Sequence, residues 1–354
     1  MKWPRPEKAN LQNPQHARHN FYESICLVAA TMHQSPAAPE VSKSPATGGS
    51  PWSAARGIQA FHPATLLPAF VKSRQRVRDL MGLPDSLGAI GSLEIRIAVT
   101  KKDIKRAQKL RWRVFFEEGK AIPDRMSQLR RRDICAFDRI CDHLIVIDHA
   151  SVGRFGKIKP RVVGTYRLLR QDVADRHAGF YSATEFDISG LLERNQGKRF
   201  LELGRSCVLP AYRSRRTLEL LWRGIWTYVR HHRIDMLIGC ASLEGTNPLQ
   251  HALPLSFLHH HASAGETLRA MPLINRHVPM DLLPRDAVDI RRAVSALPPL
   301  IKGYLRCGAV FGGGAVIDHQ FGTTDVFVIM PVDKIDPRYI EYFSTAGNPL
   351  QAAA

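Results

Sequence analysis

The chain is 354 residues long and 44% hydrophobic, enough to bury a sizeable core in one large domain or two ordinary ones. Its 50 Lys and Arg against 32 Asp and Glu leave a formal charge of +18, so an anionic partner is expected: an acidic protein, a nucleic acid or an anionic membrane surface. Six scattered cysteines with no C-x-x-C pair argue against a disulfide framework or a zinc site and for reduced thiols in a cytoplasm, and no apolar run nears the roughly 20 residues that span a bilayer.

Residues 1–90 differ from the rest. HQSPAAPEVSKSPATGGSPWSAARG is rich in Pro, Ser, Ala and Gly without helical or strand period, which predicts a disordered extension; a start at Met81 is the alternative. From Leu93 the pattern sharpens. LEIRIAVT alternates as a half-buried strand, and KKDIKRAQKLRWRVFFEEGK reads as a helix stopped at Gly119. After a charged loop come the strands HLIVID, VVGTYRLL and FLELGRSCV. The helix RRTLELLWRGIWTYVRHH places Leu218, Leu221, Trp222, Ile225 and Val229 on one stripe. DMLIGCAS is apolar nearly throughout, as a strand buried on both faces would be. A helical portion over Leu249–His260, the helix LPPLIKGYLRCGA, a turn at FGGGAV and the strands GAVIDHQFG and TTDVFVIMP complete the chain, with 346–354 as a flexible tail. The order predicts an α/β domain over 91–345: a mixed sheet with helices on both faces.

The stretch FLELGRSCVLPAYRSRR concentrates the chemistry. Glu202 and Arg205, three apart, would face opposite sides of a flat strand, but a bulge at Gly204 would bring them to one side. Such a pair either serves a site or caps a sheet defect. Arg213, Arg215 and Arg216 then gather where a helix begins, with Thr217 in its first turn. Free N–H groups and the helix dipole favour an anion there, which suggests a phosphate; a solvated basic loop is the plain alternative.

Strand, proline, Tyr-Arg, basic turn and helix together resemble the acyl-donor segment of the GNAT-type N-acyltransferase fold. That resemblance implies a donor arm lying between two splayed parallel strands, FLELGRSCV and DMLIGCAS. Coenzyme A-dependent members carry a glycine-rich turn where this chain has RSRR, so the expected donor is phosphopantetheine on acyl carrier protein, with no separate cofactor and no metal. The blocks LRWRVFFEE, FDRICDHLIVID, VVGTYRLLR, LELGRSCVLPAYR, LWRGI, IGCAS and LPPLIKGYLRCGA with TTDVFVIMP occur in order and resemble the L-ornithine Nα-acyltransferase family, over roughly residues 93–345. The resemblance implies transfer of a 3-hydroxyacyl chain from acyl carrier protein to the α-amine of L-ornithine, giving lyso-ornithine lipid. Acyl-homoserine-lactone synthases are more distantly similar, through Arg111 followed by Phe115, an acidic loop and a Glu-x-x-Arg strand.

An attacking amine must shed its proton, and Glu202, flanked by Leu201 and Leu203, is the expected base; amine binding and a structural role are the alternatives. Ornithine also calls for acids at its ammonium and arginines at its carboxylate. Asp138 and Asp142 are the candidate acids, or loop and cap residues; Arg167 and Arg205 are the candidate clamps. Arg111, on the apolar stripe of its helix, either reaches the site or snorkels outward. Phe115 and Ser206 are placed with the substrate-binding residues. Backbone N–H groups of 204–207 are expected to meet the oxyanion, and Cys207 as a covalent carrier is the rival route.

Two other classes remain. A nucleic-acid-binding protein would explain the charge but not Glu202 or the acidic loop, and no recognised binding motif occurs, so no nucleic-acid partner is expected. An anionic inner-membrane surface could hold the protein peripherally through the same basic faces.

Overall fold

The computed structural model describes residues 79–153 and 155–336. Most of the expected N-terminal extension, and the tail 346–354, lie outside the described residues. The sheet begins just before the expected boundary at 91, with β1 (Gly88–Ile90) paired antiparallel to β2 (Leu93–Ile97). Thr100 then starts α1 (Lys101–Trp112) through a capping box: its hydroxyl accepts from the Asp103 N–H at 3.1 Å and its own N–H donates to the Asp103 carboxylate at 3.3 Å. The expected single helix over 101–120 changes character at Arg113. Residues Arg113–Glu118 form a π-helical turn closed by Gly119 N–H to the Val114 carbonyl, which swings the Phe115 and Phe116 rings toward Phe321.

The remaining strands are β3 (Asp142–Asp148), β4 (Arg161–Arg170), β5 (Phe186–Asp187), β6 (Phe200–Val208), β7 (Met236–Glu244), β8 (Met271–Pro272), β9 (Val310–Asp318) and β10 (Thr323–Pro331). The other three long helices are α2 (Arg215–His231), α3 (Ala252–His261) and α4 (Pro299–Arg306). Eight strands form one sheet in the order β1-β2-β3-β4-β6-β7-β10-β9, and β5 with β8 form a small second one. Every neighbouring pair in the large sheet is antiparallel except β6 and β7.

Helices cover both faces. The stripe of α2 packs Leu221, Ile225 and Val229 into the core, with Leu218 and Trp222 half-buried beside it, and Gly224 rests against Ile95 and Leu144. Alternation along β3 and β4 sends His143 and Arg167 to the opposite face, where they meet the Asp138 turn beside α1. No helix among the described residues is long and apolar enough to cross a membrane.

The FGGGAV turn is corrected. Gly312, Gly313 and Gly314 lie inside β9, because the segment around Ala270 to His277 runs directly over them. A Cβ on Gly313 would sit 2.4 Å from the Met271 sulfur and one on Gly314 2.8 Å from the Pro272 ring, so only glycine lets that segment close over the strand.

Candidate active site

The site grows from a fork in the sheet. β6 and β7 pair in parallel only at Phe200–Met236, Leu201–Leu237 and Glu202–Ile238, although β6 continues to Val208 and β7 to Glu244. Two features part them. On β6, Arg167 of β4 opposes Gly204 while Thr165 opposes Cys207, so Arg205 and Ser206 together face Tyr166 in a bulge. The residue that takes the left-handed conformation is Arg205 itself (φ 51°), not Gly204. On β7, a Cβ at Gly239 would lie 2.4 Å from the Leu203 carbonyl oxygen, so glycine alone permits this crossing of backbones at the point of divergence. Between the strands opens a narrow cleft lined by Leu203, Leu237, Ile238, Cys240, Tyr304 and Met330.

Glu202 stands at the fork, 4% exposed. Its carboxylate accepts the Tyr181 N–H at 2.9 Å and both the N–H and the hydroxyl of Ser182 at 2.6 Å. It makes no ion pair with Arg205. The bulge brings the two side chains to the same face, as expected, but they meet through Tyr181, over whose ring the Arg205 guanidinium lies at 5.0 Å. Arg205 is held instead by Asp133, at 3.5 Å, and by the Phe321 ring at 4.5 Å. Ser182 continues the chain outward: the Cys240 thiol donates to its hydroxyl across 3.6 Å and lines the cleft on its other side.

Behind Tyr181 lies a buried ion network. Arg111, fully buried, neither snorkels nor faces the cleft. Its Nη2 donates to the Asp138 carboxylate and the Asp133 carbonyl, both at 2.7 Å, and its Nε lies 2.7 Å from the Asp133 carboxylate, off hydrogen-bond alignment. Asp138 also accepts from Gln108 at 2.8 Å, and the Arg167 guanidinium lies 3.8 Å away. Burial pushes the Asp138 carboxyl up, yet the charge of Arg111 prevails and holds it well below the usual carboxylate range. His143, 3.1 Å from the Asp138 carbonyl, is pushed down to about 4 by burial, so it is neutral at pH 7. The Arg167 guanidinium also lies over the Tyr181 ring, at 5.2 Å.

The expected residues thus separate. Arg205, Arg167, Asp138 and Arg111 share one face with Glu202, and Phe115 reaches it through its edge contact with Phe321. Asp142, grouped in the sequence with Asp138, points to the opposite face, where the Tyr228 hydroxyl donates to it at 2.7 Å; strand alternation divides them. Ser206 bonds the Tyr166 phenol on that same far face. Burial pushes the Cys207 thiol up to about 12, which suits packing and not nucleophilic attack. At the start of α2, Arg215 and Arg216 are exposed beside N–H groups that no capping side chain satisfies. Arg213 is engaged by Glu118 and the Val208 carbonyl, and Thr217 is fully buried.

The sequence reading missed Asp133, Tyr181 and Ser182, which hold the two arginines and Glu202, and it missed a second charged cluster. Glu185, Asp318 and Asp325 bring one carboxylate oxygen each within 4.8 Å of one another, all buried, an arrangement able to hold a cation. Asp318 and Asp325 were visible as acids inside otherwise apolar strands; nothing in the sequence tied them to Glu185.

Comparison with known proteins gives concordant matches. The model of the acetyltransferase (GNAT) domain matches residues 110–223, so the mixed sheet with its parted parallel pair is a GNAT fold. An L-ornithine Nα-acyltransferase of Agrobacterium fabrum strain C58 is 53% identical over 256 residues, 72% of this chain and 86% of that protein. The protein of that name from Brucella abortus strain 2308 is 50% identical over 262 residues, 74% of this chain and 92% of its own. Among solved structures, the acyl-homoserine-lactone synthase LasI aligns with a TM-score of 0.39 at 13% identity, over 73% of this chain and 97% of that one.

Proposed function

This chain belongs to the L-ornithine Nα-acyltransferase family and is an acyltransferase, and from that premise we propose that it moves a 3-hydroxyacyl chain from acyl carrier protein to the α-amine of L-ornithine, giving lyso-ornithine lipid. The observation that carries the proposal is the fork: two parallel strands that stop pairing after Glu202 and leave a cleft beside a buried carboxylate. A phosphopantetheine arm laid in the fork would present its thioester next to Ser182 and Glu202. Backbone N–H groups on β6 beyond Glu202, released from β7, would meet the oxyanion of the tetrahedral intermediate.

An α-amine of pKa near 8 is only about 10% neutral at pH 7, and that of a free amino acid is less so. The reaction therefore needs a proton acceptor. Glu202 has no cationic partner among the described residues, and the Ser182 hydroxyl bridges it to the cleft side. In the proposed mechanism the amine gives its proton to the Ser182 oxygen as the hydroxyl proton passes to Glu202. Arg205 and Arg167, both over the Tyr181 ring, would take the amino acid's carboxylate.

For the donor, Arg215 and Arg216 at the start of α2 would receive the pantetheine phosphate. The charge of +18 suits an acidic carrier protein and would also draw the enzyme to an anionic membrane, where its lipid product belongs. The test is purified protein with 3-hydroxyacyl carrier protein or the matching acyl-coenzyme A, offered a panel of amino acids and read by mass spectrometry. Acyl-ornithine from the carrier-protein donor is expected; product from coenzyme A alone would overturn the donor, and no acyl-amino acid would overturn the function.

A further inference from the structure

The carboxylate cluster beside the fork has a charge imbalance that the acyl-transfer steps leave unused. Glu185 closes the turn after Tyr181 and Ser182, Asp318 ends β9 and Asp325 lies in β10. Among the described residues the three acids make a single ion pair, Arg276 Nη2 to Glu185 at 3.8 Å. Asp318 accepts the N–H groups of Gln320 and Phe321, but Glu185 Oε2 and Asp325 Oδ1 are buried with no hydrogen-bond partner. The Cys240 thiol bonds Glu185, and the Thr323 and Ser242 hydroxyls bond Asp325, so what the cluster lacks is positive charge, and buried carboxylates without it are costly to leave in place. Burial and mutual repulsion push Glu185 up to about 8 and Asp325 to about 6, so a bound cation would relieve a standing strain.

Position says which cation. Asp325 pairs with Ser242 on β7, two residues beyond Cys240, whose thiol lines the cleft and donates to Ser182. Two strand residues span about 7 Å. The two nitrogens of an extended 2,5-diamino acid are separated by five bonds, roughly 6 Å. Glu185 bonds Cys240 directly, so it is a side-chain ammonium at the Asp318 and Asp325 end of the cluster that would set its α-amine beside Cys240 and Ser182, at the mouth of the fork. Arg205 and Arg167 lie toward β4 and β6, so the amino acid's two ends meet opposite charges.

We infer that Glu185, Asp318 and Asp325 form the pocket for the side-chain ammonium of the acceptor, and so select a basic amino acid of ornithine's length. The inference rests on the reading of the chain as an amino-acid N-acyltransferase and assigns the specificity of that site. Arg276 partly offsets Glu185, which suits a monovalent ammonium over a divalent metal.

The test compares L-ornithine, L-lysine and L-norvaline, which has ornithine's chain without its side-chain amine, as acceptors for wild type, Glu185→Gln and Asp325→Asn. In wild type, kcat/KM for ornithine should exceed that for norvaline by at least about 10²-fold, because norvaline leaves buried acids unanswered. Each variant should shrink that ratio by about tenfold or more. A wild-type ratio near one, or variants that leave it unchanged, would overturn the pocket while acyl transfer to amino acids stands. A wild type that acylates no amino acid would overturn the parent function as well. Discrimination lost in EDTA and restored by Mg²⁺ would assign the cluster to a metal and end the inference. If a variant fails to fold, ligand-induced stabilisation of wild type decides: a larger rise in Tm with ornithine than with norvaline supports the pocket, and equal rises overturn it.

Discussion

The two charged clusters beside the fork are equally buried and oppositely resolved. Around Arg111, three arginines are ion-paired with Asp133 and Asp138, beside Gln108 and the Tyr181 ring, although Arg111 Nη1, Asp138 Oδ1 and Arg205 Nε make no hydrogen bond. Around Glu185, three carboxylates share one arginine at 3.8 Å, and two of their oxygens have no donor. In a low-dielectric interior charges of mixed sign attract and can hold a backbone in place, whereas charges of one sign are a standing cost that a ligand can relieve. The first cluster therefore fixes the bulge at Arg205, and the second awaits a charge from outside.

The strongest way to break that contrast is to remove a cation from the mixed-sign side. Arg111→Met leaves Asp133 and Asp138 buried without their main partner, a loss of about 3–5 kcal/mol that should lower Tm by roughly 6–20 °C. Arg111 holds the Asp138 carboxyl below its unfolded value, so the wild-type contribution is full above about pH 4 and fades as pH falls toward the folded value. A variant melting within a degree or two of wild type at pH 7 would show that this network is not framework.

Glu202 lies between the clusters, and its replacement sharpens the contrast by separating chemistry from structure. Glu202→Gln keeps one oxygen for the two Ser182 donors, turns its NH2 toward the Tyr181 N–H, and cannot take a proton. It should fold, and its kcat at pH 7 should fall about 10²–10⁴-fold. Near-normal turnover would remove Glu202 from the base role. Gly239→Ala tests the fork itself. Its Cβ would stand 2.4 Å from the Leu203 carbonyl, and that overlap should cost about 1–3 kcal/mol, a fall in Tm of roughly 2–12 °C. An unshifted melting curve would mean that the strands part without help from this crossing.

Much of the fold was legible because strands and helices announce themselves by period. DMLIGCAS and TTDVFVIMP read as buried strands, and the α2 stripe read as a helix face. The bulge next to Gly204 was legible for the same reason: a charge inside an apolar run needs a defect to serve it. Less legible was anything set by chain crossing. FGGGAV looked like a turn because a glycine run carries the same composition whether it bends or lies beneath another segment. Asp142 looked like a partner of Asp138, yet one begins a strand and the other ends the turn before it, on opposite faces. Asp133, Tyr181, Ser182 and Glu185 come from connections without period, so only the folded chain brings them to Glu202 and Asp325.

The last test reads the like-charged side through pH. Burial, with Asp318 and Glu185 facing it, raises the folded value of Asp325 to about 6 from an ordinary 3.8, against the Thr323 and Ser242 hydroxyls and the charge of Arg205, which lower it. The folded state therefore binds this proton more tightly than the unfolded chain. Below about pH 4 both states are protonated and nothing is lost; as pH rises from there toward 6 the protein gives up stability, and the loss is complete above that. Asp325→Asn cannot ionise, so it should match wild type near pH 4 and melt at a higher temperature than wild type at pH 7. L-Ornithine at pH 7 should close the gap by stabilising wild type more than the variant, because an ammonium supplies the charge that the cluster lacks. Melting curves that stay parallel from pH 4 to 7 would mean that these carboxylates are as well compensated as those around Arg111, and the two clusters would no longer differ in kind.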